Sequence, residues 1–592
     1  MCGIVGYFGR EISGKDALDM LKNLEYRGYD SWGISIKQKS GFYTYKKVGK
    51  ISEAKIPEMP KARIAILHSR WATHGNVTEL NAHPHFSNDG KIAVVHNGII
   101  ENYQELKRKL EKDGFKFKTQ TDTEVIPNLI QKNLGNKKAS KQDLLLALIK
   151  TFKELEGHYA LLILHKDVDA IFAARQGSPL IAGIDSSANV FFASDVSAFL
   201  RHTNNSIFFN DAELAVADSF GLTFSDFNLK PVKKQPSKVA LDISNLDKQG
   251  YPYYMIKEIM EQRETIKQAI MQSDEKIMEL AKVINESFGS YLIGCGTAGR
   301  VALAGTYLFS KITHKHVNFT VASEFPNYID FIKNKSLVIA ISQSGETADT
   351  LDAIKAAKKK KARIMSILNA PGTTMEHLSD YVLKIRVGIE KAVASTKAAT
   401  GQLAILALLA YASAGRLKEG KHELFHVADV INEMLTDSLL NKTKELAKKI
   451  KNKNSIYIIG RGLNYPIALE SAIKLQEIGY IHAEGFAGGE LKHGPLALIE
   501  KNTPCIAFVS EDENKKDILS NAAEVKARGG FIIGIAPKNN AVFNYWIKVM
   551  DANDLTMIVN LIPVQLLAYY LGVERGHDVD YPRNLAKSVT CK

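Results

Sequence analysis

The sequence predicts an α/β protein of several domains, and three observations support this prediction. The chain has 592 residues, which is about three to five times the length of a common domain. Up to about residue 240, short apolar runs alternate with turn residues and a few helical segments, so short strands are expected there. The remainder alternates strands with helices, and a strand followed by Gly-x-Gly and a helix occurs at Gly294 and again at Gly460. This repetition predicts duplicated α/β subdomains with parallel sheets.

The composition excludes a disordered chain and leaves the partner open. Hydrophobic residues make up 45% and charged residues 24% of the chain, as in ordinary globular proteins. The 77 basic and 64 acidic residues give a net charge of +13. This charge favours anionic partners such as nucleic acid or phosphorylated metabolites, but a solvated lysine-rich surface accounts for it equally well.

Cysteine usage and apolar stretches predict a cytoplasmic enzyme. The four cysteines lie far apart and form no Cys-x-x-Cys pair, so they suggest neither a zinc ribbon nor a disulfide scaffold. The N-terminus does not resemble a signal peptide. The apolar stretch 403–415 is too short to span a bilayer, and the stretch 557–573 is interrupted by Asn560, Pro563 and Gln565.

The elements of the first part follow from its apolar runs and end in a linker. Residues 226–255 are rich in Asn, Lys, Pro, Ser, Asp and Gly, and we interpret them as an interdomain linker after a first domain at 2–240. The segments expected before it are helices at 14–24 and 102–113 and strands at 92–95 and 159–164.

The second part contains the two copies of the strand–helix scheme. We expect one subdomain at 256–435, the other at 436–582, and a short tail at 583–592. The strands predicted in them are 290–294, 336–341, 455–460 and 504–510, with a helix ending near 359. The lysine run 358–361 lies at that helix's C-terminus, where cations offset the helix dipole.

An N-terminal cysteine is the first candidate for chemistry. Once Met1 is removed, Cys2 carries both a nucleophilic thiol and an α-amine. The α-amine has a pKa of about 7.7–8.0, so it serves as a general base at neutral pH. Taken alone, Cys2 is more simply an incidental cysteine.

Three further segments strengthen this interpretation. Arg70 can pair with a carboxylate. Asn97 and Gly98 follow a predicted strand, and they offer the side-chain amide and the backbone N–H that an oxyanion hole requires. Asp122 can receive an ammonium group. Each also has a plain structural explanation: a surface ion pair for Arg70, a turn for Asn97 and Gly98, and a helix N-cap for Asp122.

Five segments in this order resemble the N-terminal-nucleophile (class II) glutamine amidotransferases. They are Met1–Gly6, Glu25–Ser31, His68–Gly75, His96–Glu101 and Thr121–Glu124. The resemblance implies a four-layer αββα domain with Cys2 as the nucleophile. It further implies a glutamine site at Arg70, Thr73, His74 and Asp122 and an oxyanion hole at Asn97 and Gly98.

A second constellation lies in the first α/β subdomain. The segment Ser342–Thr347 connects a strand to a helix, and hydroxyls with first-turn N–H groups bind phosphate well. A capped helix start would use the same residues. The segment Gly294–Gly299 matches the dinucleotide fingerprint, but this signal is weak by itself. The segment 342–347 and the second copy at Gly460, which does not match the fingerprint, argue against a dinucleotide cofactor.

These features resemble the sugar isomerase (SIS) domain, a doubly wound parallel-sheet fold. The whole chain is similar to the glutamine–fructose-6-phosphate aminotransferase family, which begins hexosamine biosynthesis by converting fructose 6-phosphate to glucosamine 6-phosphate. The supporting segments are Ala322–Phe325, Val393–Lys397, Ala468–Glu484, Gly489–Pro495 and Pro582–Thr590.

The family pattern implies catalytic roles for four residues that have no distinctive local sequence signal. It assigns ring opening to His493, a Schiff base with the keto sugar to Lys587, and proton transfer between C1 and C2 to Glu477. Lys474 lies three residues before Glu477, so both can share a helix face and Lys474 can keep Glu477 ionised. Without the resemblance, Lys474 and Glu477 are an ordinary helical pair, Lys587 a solvated lysine and His493 a loop residue.

The resemblance also implies a sugar-phosphate site, with one departure. Many relatives have serine where this chain has Ala298, so a hydroxyl that contacts the sugar is missing. The implied phosphate-binding and sugar-binding residues are Thr297, Ser342, Gln343, Ser344, Thr347, Val393 and Ser395.

No cofactor and no metal are expected. His74, His83, His85 and His96 lie on separate segments without the spacing of metal ligands. The family further implies a homodimer in which His493 serves the neighbouring subunit's site, and a dry channel between the sites with Trp71 near its gate.

Two enzyme alternatives and one non-enzyme alternative remain. A phosphoribosyl transferase would need an acidic loop after a strand, and an asparagine synthetase would need an ATP-pyrophosphatase loop; neither is present in the sequence. A phosphosugar-sensing SIS regulator would carry a helix-turn-helix domain in place of the amidotransferase segments.

Overall fold

The structure, a computed structural model, describes residues 2–135, 139–239 and 247–590. The chain divides into two compact units, one of Met1–Leu246 with Ala586–Lys592 and one of Asp247–Leu585. The predicted linker at 226–255 includes residues 240–246, which lie outside the described residues.

The first unit contains two antiparallel sheets. The eight-stranded sheet has the order β14-β11-β9-β10-β1-β4-β2-β3, and the six-stranded sheet has the order β13-β12-β8-β7-β6-β5. The strands are β1 Gly3–Ile12, β2 Ser31–Gln38, β3 Gly41–Val48, β4 Ala62–Arg70, β5 His85–Phe86, β6 Ile92–Ile100, β7 Gly157–His165, β8 Val168–Gln176, β9 Ile181–Ile184, β10 Val190–Ala193, β11 Asn205–Phe208, β12 Glu213–Asp218, β13 Gly221–Asp226 and β14 Ser237–Lys238. The helices are α1 Gly14–Lys22, α2 Tyr103–Lys112, α3 Val125–Leu134 and α4 Lys141–Glu154.

The alternation of side chains along β6 shows how the layers form. Ile92 and Val94 pack with helices α2–α4, whereas Ala93 and Val95 pack between the two sheets. Because successive side chains of a strand point to opposite faces, one strand serves two cores. Helix α1 packs against β1 and β4, so the layers run helix, sheet, sheet, helix, which is the αββα arrangement that the resemblance implies.

The second unit contains two five-stranded parallel sheets with the same topology. Their orders are β16-β15-β17-β18-β19 and β21-β20-β22-β23-β24, so the predicted duplication is confirmed. The strands are β15 Ser290–Gly294, β16 Asn318–Val321, β17 Leu337–Ser342, β18 Arg363–Leu368, β19 Tyr381–Lys384, β20 Ser455–Gly460, β21 His482–Ala487, β22 Pro504–Phe508, β23 Phe531–Ala536 and β24 Tyr545–Lys548. The helices are α5 Tyr254–Met260, α6 Gln262–Ile270, α7 Asp274–Glu286, α8 Gly296–Thr313, α9 Ala348–Lys359, α10 Thr374–Leu378, α11 Lys397–Ser413, α12 Leu417–Met434, α13 Asp437–Ile450, α14 Asn464–Gly479, α15 Lys515–Ala527 and α16 Thr556–Glu574.

The strand order places a crevice at the ends of β15 and β17. The chain passes from β15 to β16 on one side and then crosses to β17 on the other side. In open α/β sheets, such a reversal leaves a crevice at the carboxyl ends of the two strands, where ligands bind. Gly294 ends β15 and Ser342 ends β17, so both predicted loops meet at this crevice.

One helix among the described residues is long and apolar enough to cross a membrane. It covers Asn553–Glu574, and 89% of its most apolar window is buried inside the structure. Asn560 and Gln565 on this helix make buried hydrogen bonds to other side chains. The helix is therefore the core helix of the second SIS-like subdomain.

Candidate functional site

Cys2 lies where the loop after β4 meets β6. Its Sγ is 3.4 Å from the backbone nitrogen of Trp71 and 3.5 Å from the carbonyl oxygen of the same residue. Its own carbonyl oxygen accepts hydrogen bonds from Asn97 Nδ2 at 3.0 Å and from Arg27 Nε at 3.4 Å. These contacts fix the backbone that carries the half-buried thiol.

Asn97 and Gly98 lie inside β6 and not in a turn after it. The ladder to β7 continues past the apolar run, with Gly98 opposite Tyr159, so the expected strand end near residue 95 is wrong. Gly98 has φ +128°, and an added Cβ would lie 1.9 Å from the carbonyl oxygen of His158. Only glycine fits this combination of positive φ and close approach.

Arg70 organises the loop that follows β4. Its guanidinium donates hydrogen bonds to the carbonyl oxygens of His74, Gly75 and Asn76, the last two at 3.2 Å. Arg70 is buried, whereas Thr73 on the same loop is exposed. These hydrogen bonds hold the loop, and the pairing of Arg70 with a carboxylate of glutamine stays a prediction.

Asp122 is buried and faces the same region. Its Oδ2 accepts a hydrogen bond from Ile100 N at 2.8 Å and lies 4.0 Å from His96 Nδ1. It begins a short 3-10 helix, and the N-cap of α3 is Glu124. Burial lowers the pKa of Arg70, although the charges of Cys2 and Asp122, among others, oppose this effect. Several of the predicted glutamine-site groups therefore lie close enough to interact electrostatically.

Four histidines from distant segments form a buried cluster beside this region. The rings of His68 and His83 stack with centroids 3.9 Å apart, and the ring of His85 lies 4.5 Å from that of His83. His96 N donates to His83 Nδ1 at 3.3 Å. Burial lowers the pKa of His68 to about 3 and also lowers those of the other three. No group of metal-binding side chains with suitable geometry occurs in the part of the chain that the structure describes.

The segment Ser342–Thr347 forms a compact loop between β17 and α9. Ser342 Oγ accepts a hydrogen bond from Gly345 N at 3.0 Å and lies 3.3 Å from Thr347 Oγ1. Gln343, Ser344 and Thr347 are half-exposed. Thr347 is the N-cap of α9 but makes no side-chain cap hydrogen bond. N–H groups in the first turn of a helix bind anions well, so this helix start suits a phosphate.

A charged cluster with a buried lysine begins in the first turn of α8. Thr297 Oγ1 donates to Glu470 Oε1 at 2.9 Å, and that oxygen is 3.5 Å from Lys474 Nζ. Lys474 Nζ also contacts Glu477 Oε2 at 2.5 Å. Burial opposes the charged form of Lys474, but Glu477 and Glu470 together outweigh burial and raise its pKa. Lys474 and Glu477 share a helix face, as their spacing predicts.

The segment 390–396 is held by buried acceptors. Glu390 Oε1 accepts a hydrogen bond from Thr396 N at 2.9 Å, and its Oε2 accepts one from Ser395 Oγ at 3.2 Å. Val393 N donates to the carbonyl oxygen of Asp580 at 3.0 Å. The two predicted sugar-site residues of this segment, Val393 and Ser395, therefore have fixed positions.

The remaining predicted residues are not drawn into these clusters. His493 ends a short 3-10 helix, Glu490–His493, and is exposed. Lys587 is half-buried in the terminal segment that groups with the first unit. Ala298 lies in the first turn of α8, next to Thr297, and is half-buried.

Sequence reasoning missed four residues that the structure brings to these sites. Arg27 holds the Cys2 carbonyl, His68 joins the histidine cluster, and Glu390 holds the segment 390–396. Glu470 joins Thr297 to Lys474. Only Glu470 carries a usable signal in the sequence, since it lies four residues before Lys474, the spacing of a helical ion pair.

Comparison with protein families matches most of the chain to two domain types. A family described as a glutamine amidotransferase domain matches residues 68–201. A family described as a SIS domain matches twice, at residues 288–412 and 449–575.

Full-length relatives and one solved structure are similar to this chain. A protein of Caldanaerobacter subterraneus subsp. tengcongensis is 41% identical over 615 residues, and one of Methanosarcina acetivorans is 40% identical over 627 residues. Each alignment covers all of both proteins, and both relatives are named glutamine–fructose-6-phosphate aminotransferase [isomerizing]. The C-terminal domain of glucosamine-fructose-6-phosphate aminotransferase from Francisella tularensis is 34% identical, with a TM-score of 0.53. It matches over 100% of its own length and 57% of this chain.

Proposed function

The chain belongs to the glutamine–fructose-6-phosphate aminotransferase [isomerizing] family, and from this membership we propose how its two units divide the reaction. The enzyme hydrolyses glutamine to glutamate and ammonia and uses the ammonia to convert D-fructose 6-phosphate to D-glucosamine 6-phosphate. The first unit carries the glutamine chemistry, and the second carries the sugar-phosphate site.

In the first unit, Cys2 is the nucleophile. Its sulfur attacks the side-chain amide carbon of glutamine, and the α-amine of Cys2 transfers the thiol proton to the leaving nitrogen, which departs as ammonia. Asn97 and Gly98 stabilise the oxyanion of the tetrahedral intermediate. Water then hydrolyses the thioester and releases glutamate.

The substrate glutamine is held by the loop after β4 and by Asp122. The buried Arg70 orders this loop through its carbonyl oxygens, which presents Thr73 and His74 to the α-carboxylate of glutamine. The carboxylate of Asp122 receives the α-ammonium group. Asp122 is buried, and Ile100 N donates a hydrogen bond to its Oδ2 at 2.8 Å; this fixed position of the carboxylate supports the assignment.

In the second unit, the crevice between β15 and β17 binds the phosphate of the sugar. Half-exposed hydroxyls and N–H groups at the start of α9 suit a phosphate dianion. The residues assigned to this binding are Thr297, Ser342, Gln343, Ser344 and Thr347, with Val393 and Ser395 beside the sugar.

The sugar chemistry needs three groups beyond the phosphate site. His493 opens the furanose ring, and Lys587 forms an imine with C2 while the carbonyl oxygen of the sugar leaves as water. Ammonia then displaces Lys587, and Glu477 moves a proton from C1 to C2, which gives glucosamine 6-phosphate after ring closure. Lys474 keeps Glu477 ionised, and its 2.5 Å contact supports this role.

The assembly and cellular setting follow from the same family. We assign a cytoplasmic homodimer in which His493 completes the neighbouring subunit's sugar site, and its exposure on its own chain supports this. The reaction requires no cofactor, because each step is acyl, imine or proton transfer. Nucleic acid and membrane are not expected partners, and the net charge of +13 suits a phosphorylated substrate.

This proposal rests mainly on the series of side-chain contacts from Thr297 through Glu470 and Lys474 to Glu477. These contacts lie beside a candidate phosphate-binding loop, and the same protein has an N-terminal thiol in a fixed position. The test is product formation by Cys2→Ala. This variant should make no glucosamine 6-phosphate from glutamine but should still make it from added ammonium salt. Loss of both activities, or of neither, contradicts the division of labour.

Covalent trapping tests the tail lysine separately. Borohydride added with fructose 6-phosphate should reduce an imine on Lys587, which peptide mass spectrometry locates on the C-terminal peptide. A label on Lys397 or Lys474 contradicts the assignment. Lys587→Arg, which retains the charge but forms no imine, is the matched control.

A further inference from the structure

Glu470 is a buried carboxyl group that the proposed mechanism does not use. Its side chain is 3% exposed and lies on α14, one helical turn before Lys474. Oε1 accepts the Thr297 hydroxyl at 2.9 Å. Oε2 is buried and has no hydrogen-bond partner within the described residues. A buried carboxylate with an unpaired oxygen favours its protonated form.

Two carboxyl groups share the one ammonium group of Lys474. Lys474 Nζ is 2.5 Å from Glu477 and 3.5 Å from Glu470, and its side chain is completely buried. If Lys474, Glu470 and Glu477 are all ionised, this buried cluster has a net negative charge. Glu390, before α11, adds a further negative charge that acts on Lys474. Lys474 can therefore fully compensate only one carboxylate, and the other carboxyl group favours its protonated form.

The carboxyl group that keeps its proton longer is Glu470. Glu477 has the shorter contact to Lys474 and a side chain that is 24% exposed, so water also stabilises its charge. Glu470 is enclosed by its own helix and by α8, where Thr297 is its neutral partner. In agreement with this geometry, burial raises the pKa of Glu470 to about 7, against the lowering effect of Lys474.

We propose that Glu470 is a positioning residue for the C1–C2 proton transfer. Its ionisation decides how strongly Lys474 interacts with Glu477. Its hydrogen bond to Thr297 connects this cluster to the sugar-phosphate site. The inference rests on the proposed function, in which Glu477 is the base. When Glu470 is neutral, Lys474 interacts fully with Glu477 and weakens it as a base. When Glu470 is ionised, Lys474 is shared and Glu477 accepts the proton more readily.

The test is the pH dependence of proton transfer in the full-length enzyme without glutamine. The enzyme is saturated with fructose 6-phosphate, and conversion to glucose 6-phosphate and deuterium uptake at C1 and C2 in D2O are followed from about pH 5.5 to about pH 9. The wild-type kcat should rise several-fold through neutrality. In Glu470→Gln, which retains the acceptor for Thr297 but does not ionise, this rise should be absent.

Further variants separate this role from a merely structural one. Glu574→Gln removes a carboxylate paired with Lys451 at 3.3 Å in the same subdomain, and its profile should keep the wild-type rise. Glu470→Asp still ionises but withdraws from Thr297, so it should keep the rise and increase KM for the sugar. A rise that persists in Glu470→Gln, or that disappears in Glu574→Gln, overturns the inference.

The outcome also distinguishes this inference from the proposed function. If Glu477→Gln still exchanges the sugar protons at the wild-type rate, then Glu477 is not the base and the proposed function fails at that step. If Glu477→Gln is inactive and Glu470→Gln behaves as wild type, only the inference about Glu470 is wrong. A wild-type kcat that is flat through neutrality contradicts it even if Glu470→Gln does not fold.

Discussion

Gly98 shows at the scale of one residue how backbone geometry limits the active site. Its φ is +128°, and the carbonyl oxygen of His158 lies 1.9 Å from the point that a Cβ would occupy, so no side chain fits. Gly98→Ala must therefore move β6 or β7, which displaces the N–H assigned to the oxyanion hole. We expect glutamine hydrolysis to fall about 100-fold, while ammonia-dependent synthesis continues.

A second glycine provides the matched control for that experiment. Gly114 also has positive φ, +87°, but no atom lies within 4 Å of an added Cβ. Gly114→Ala therefore introduces similar backbone strain without a steric clash. Steady-state glutaminase assays of the two variants check the prediction, and equal losses in both would contradict it.

Ala298 stands where the resemblance implies a serine. It lies beside Thr297 in the first turn of α8, where a serine hydroxyl could reach the sugar. Ala298→Ser should lower KM for fructose 6-phosphate about 2- to 10-fold, the value of one hydrogen bond. Because the bond is made equally in ground and transition states, kcat should stay the same. An unchanged KM would show that the missing hydroxyl does not contact the sugar.

The sequence marks candidate residues of the glutamine site, which stay a prediction, but it does not mark their structural partners. Short segments around Cys2, Asn97 and Asp122 are recognisable because each carries its own chemistry. Glu470 has only a helical spacing to mark it. Its unusual environment comes from burial against α8, and its partner there, Thr297, is 173 residues away in the chain.

At the scale of elements, the histidine cluster joins β4, β6 and the segment around β5. The lowered pKa values of these buried histidines predict that acid destabilises the first unit. The unfolded chain binds protons at histidine below about pH 6.5, but the folded cluster resists protonation. Its contribution to stability is therefore complete above that pH and is lost progressively as the pH falls toward the folded pKa values.

Chemical denaturation of the first unit measures this effect. In the fragment of residues 2–240, the intrinsic fluorescence of Trp32, which is buried on β2, and of Trp71 reports unfolding at about pH 7.5 and at about pH 5. The midpoint should be lower at the acidic pH. His83→Gln, which loses the ring that stacks on His68, should show a smaller difference between the two pH values. Equal midpoints for the wild type at both pH values would contradict the prediction.

Elements that depend on apolar periodicity were predicted well, whereas ends that depend on strand partners were not. The predicted helix at 102–113 is Tyr103–Lys112, because its apolar positions repeat at helical spacing. The predicted strand at 92–95 continues to Ile100, because its polar residues still pair with β7. Cross-strand pairing of this kind leaves no local signal in the sequence.

At the scale of the whole molecule, the duplicated subdomains were predictable because each copy repeats a strand, a glycine loop and a helix. The identical strand order of the two sheets confirms the repeat. The loops of the two copies differ, however. The loop after β17 in the first copy carries hydroxyl groups, whereas the corresponding loop after β22 in the second copy contains Glu511, Asp512 and Glu513. These carboxylates disfavour phosphate, so we assign the phosphate group of the sugar to the first copy.

The predicted linker leads to a prediction for divided chains. Cleavage near Ser237 should give two folded parts, with residues 2–240 hydrolysing glutamine and residues 241–592 interconverting fructose 6-phosphate and glucose 6-phosphate. Neither part alone should make glucosamine 6-phosphate from glutamine, because ammonia in neutral water is mostly protonated. Separate assays of the purified parts check this expectation.

A shortened second part provides the control. A fragment ending at Leu585 lacks the terminal segment that groups with the first unit, and with it Lys587. It should still bind fructose 6-phosphate but should not trap an imine with borohydride. A soluble 241–592 fragment that binds sugar without isomerising it would show that its catalytic set is incomplete without the first unit.

Transfer of the amide nitrogen of glutamine to fructose 6-phosphate by one chain is the central claim, and an isotope measurement tests it most directly. The enzyme is given glutamine labelled with nitrogen-15 in the amide, fructose 6-phosphate, and an excess of unlabelled ammonium. Mass spectrometry of the sugar product then reports the source of its nitrogen. We expect glucosamine 6-phosphate that carries mainly nitrogen-15, and an amino sugar carrying only unlabelled nitrogen, or no amino sugar, would contradict the claim.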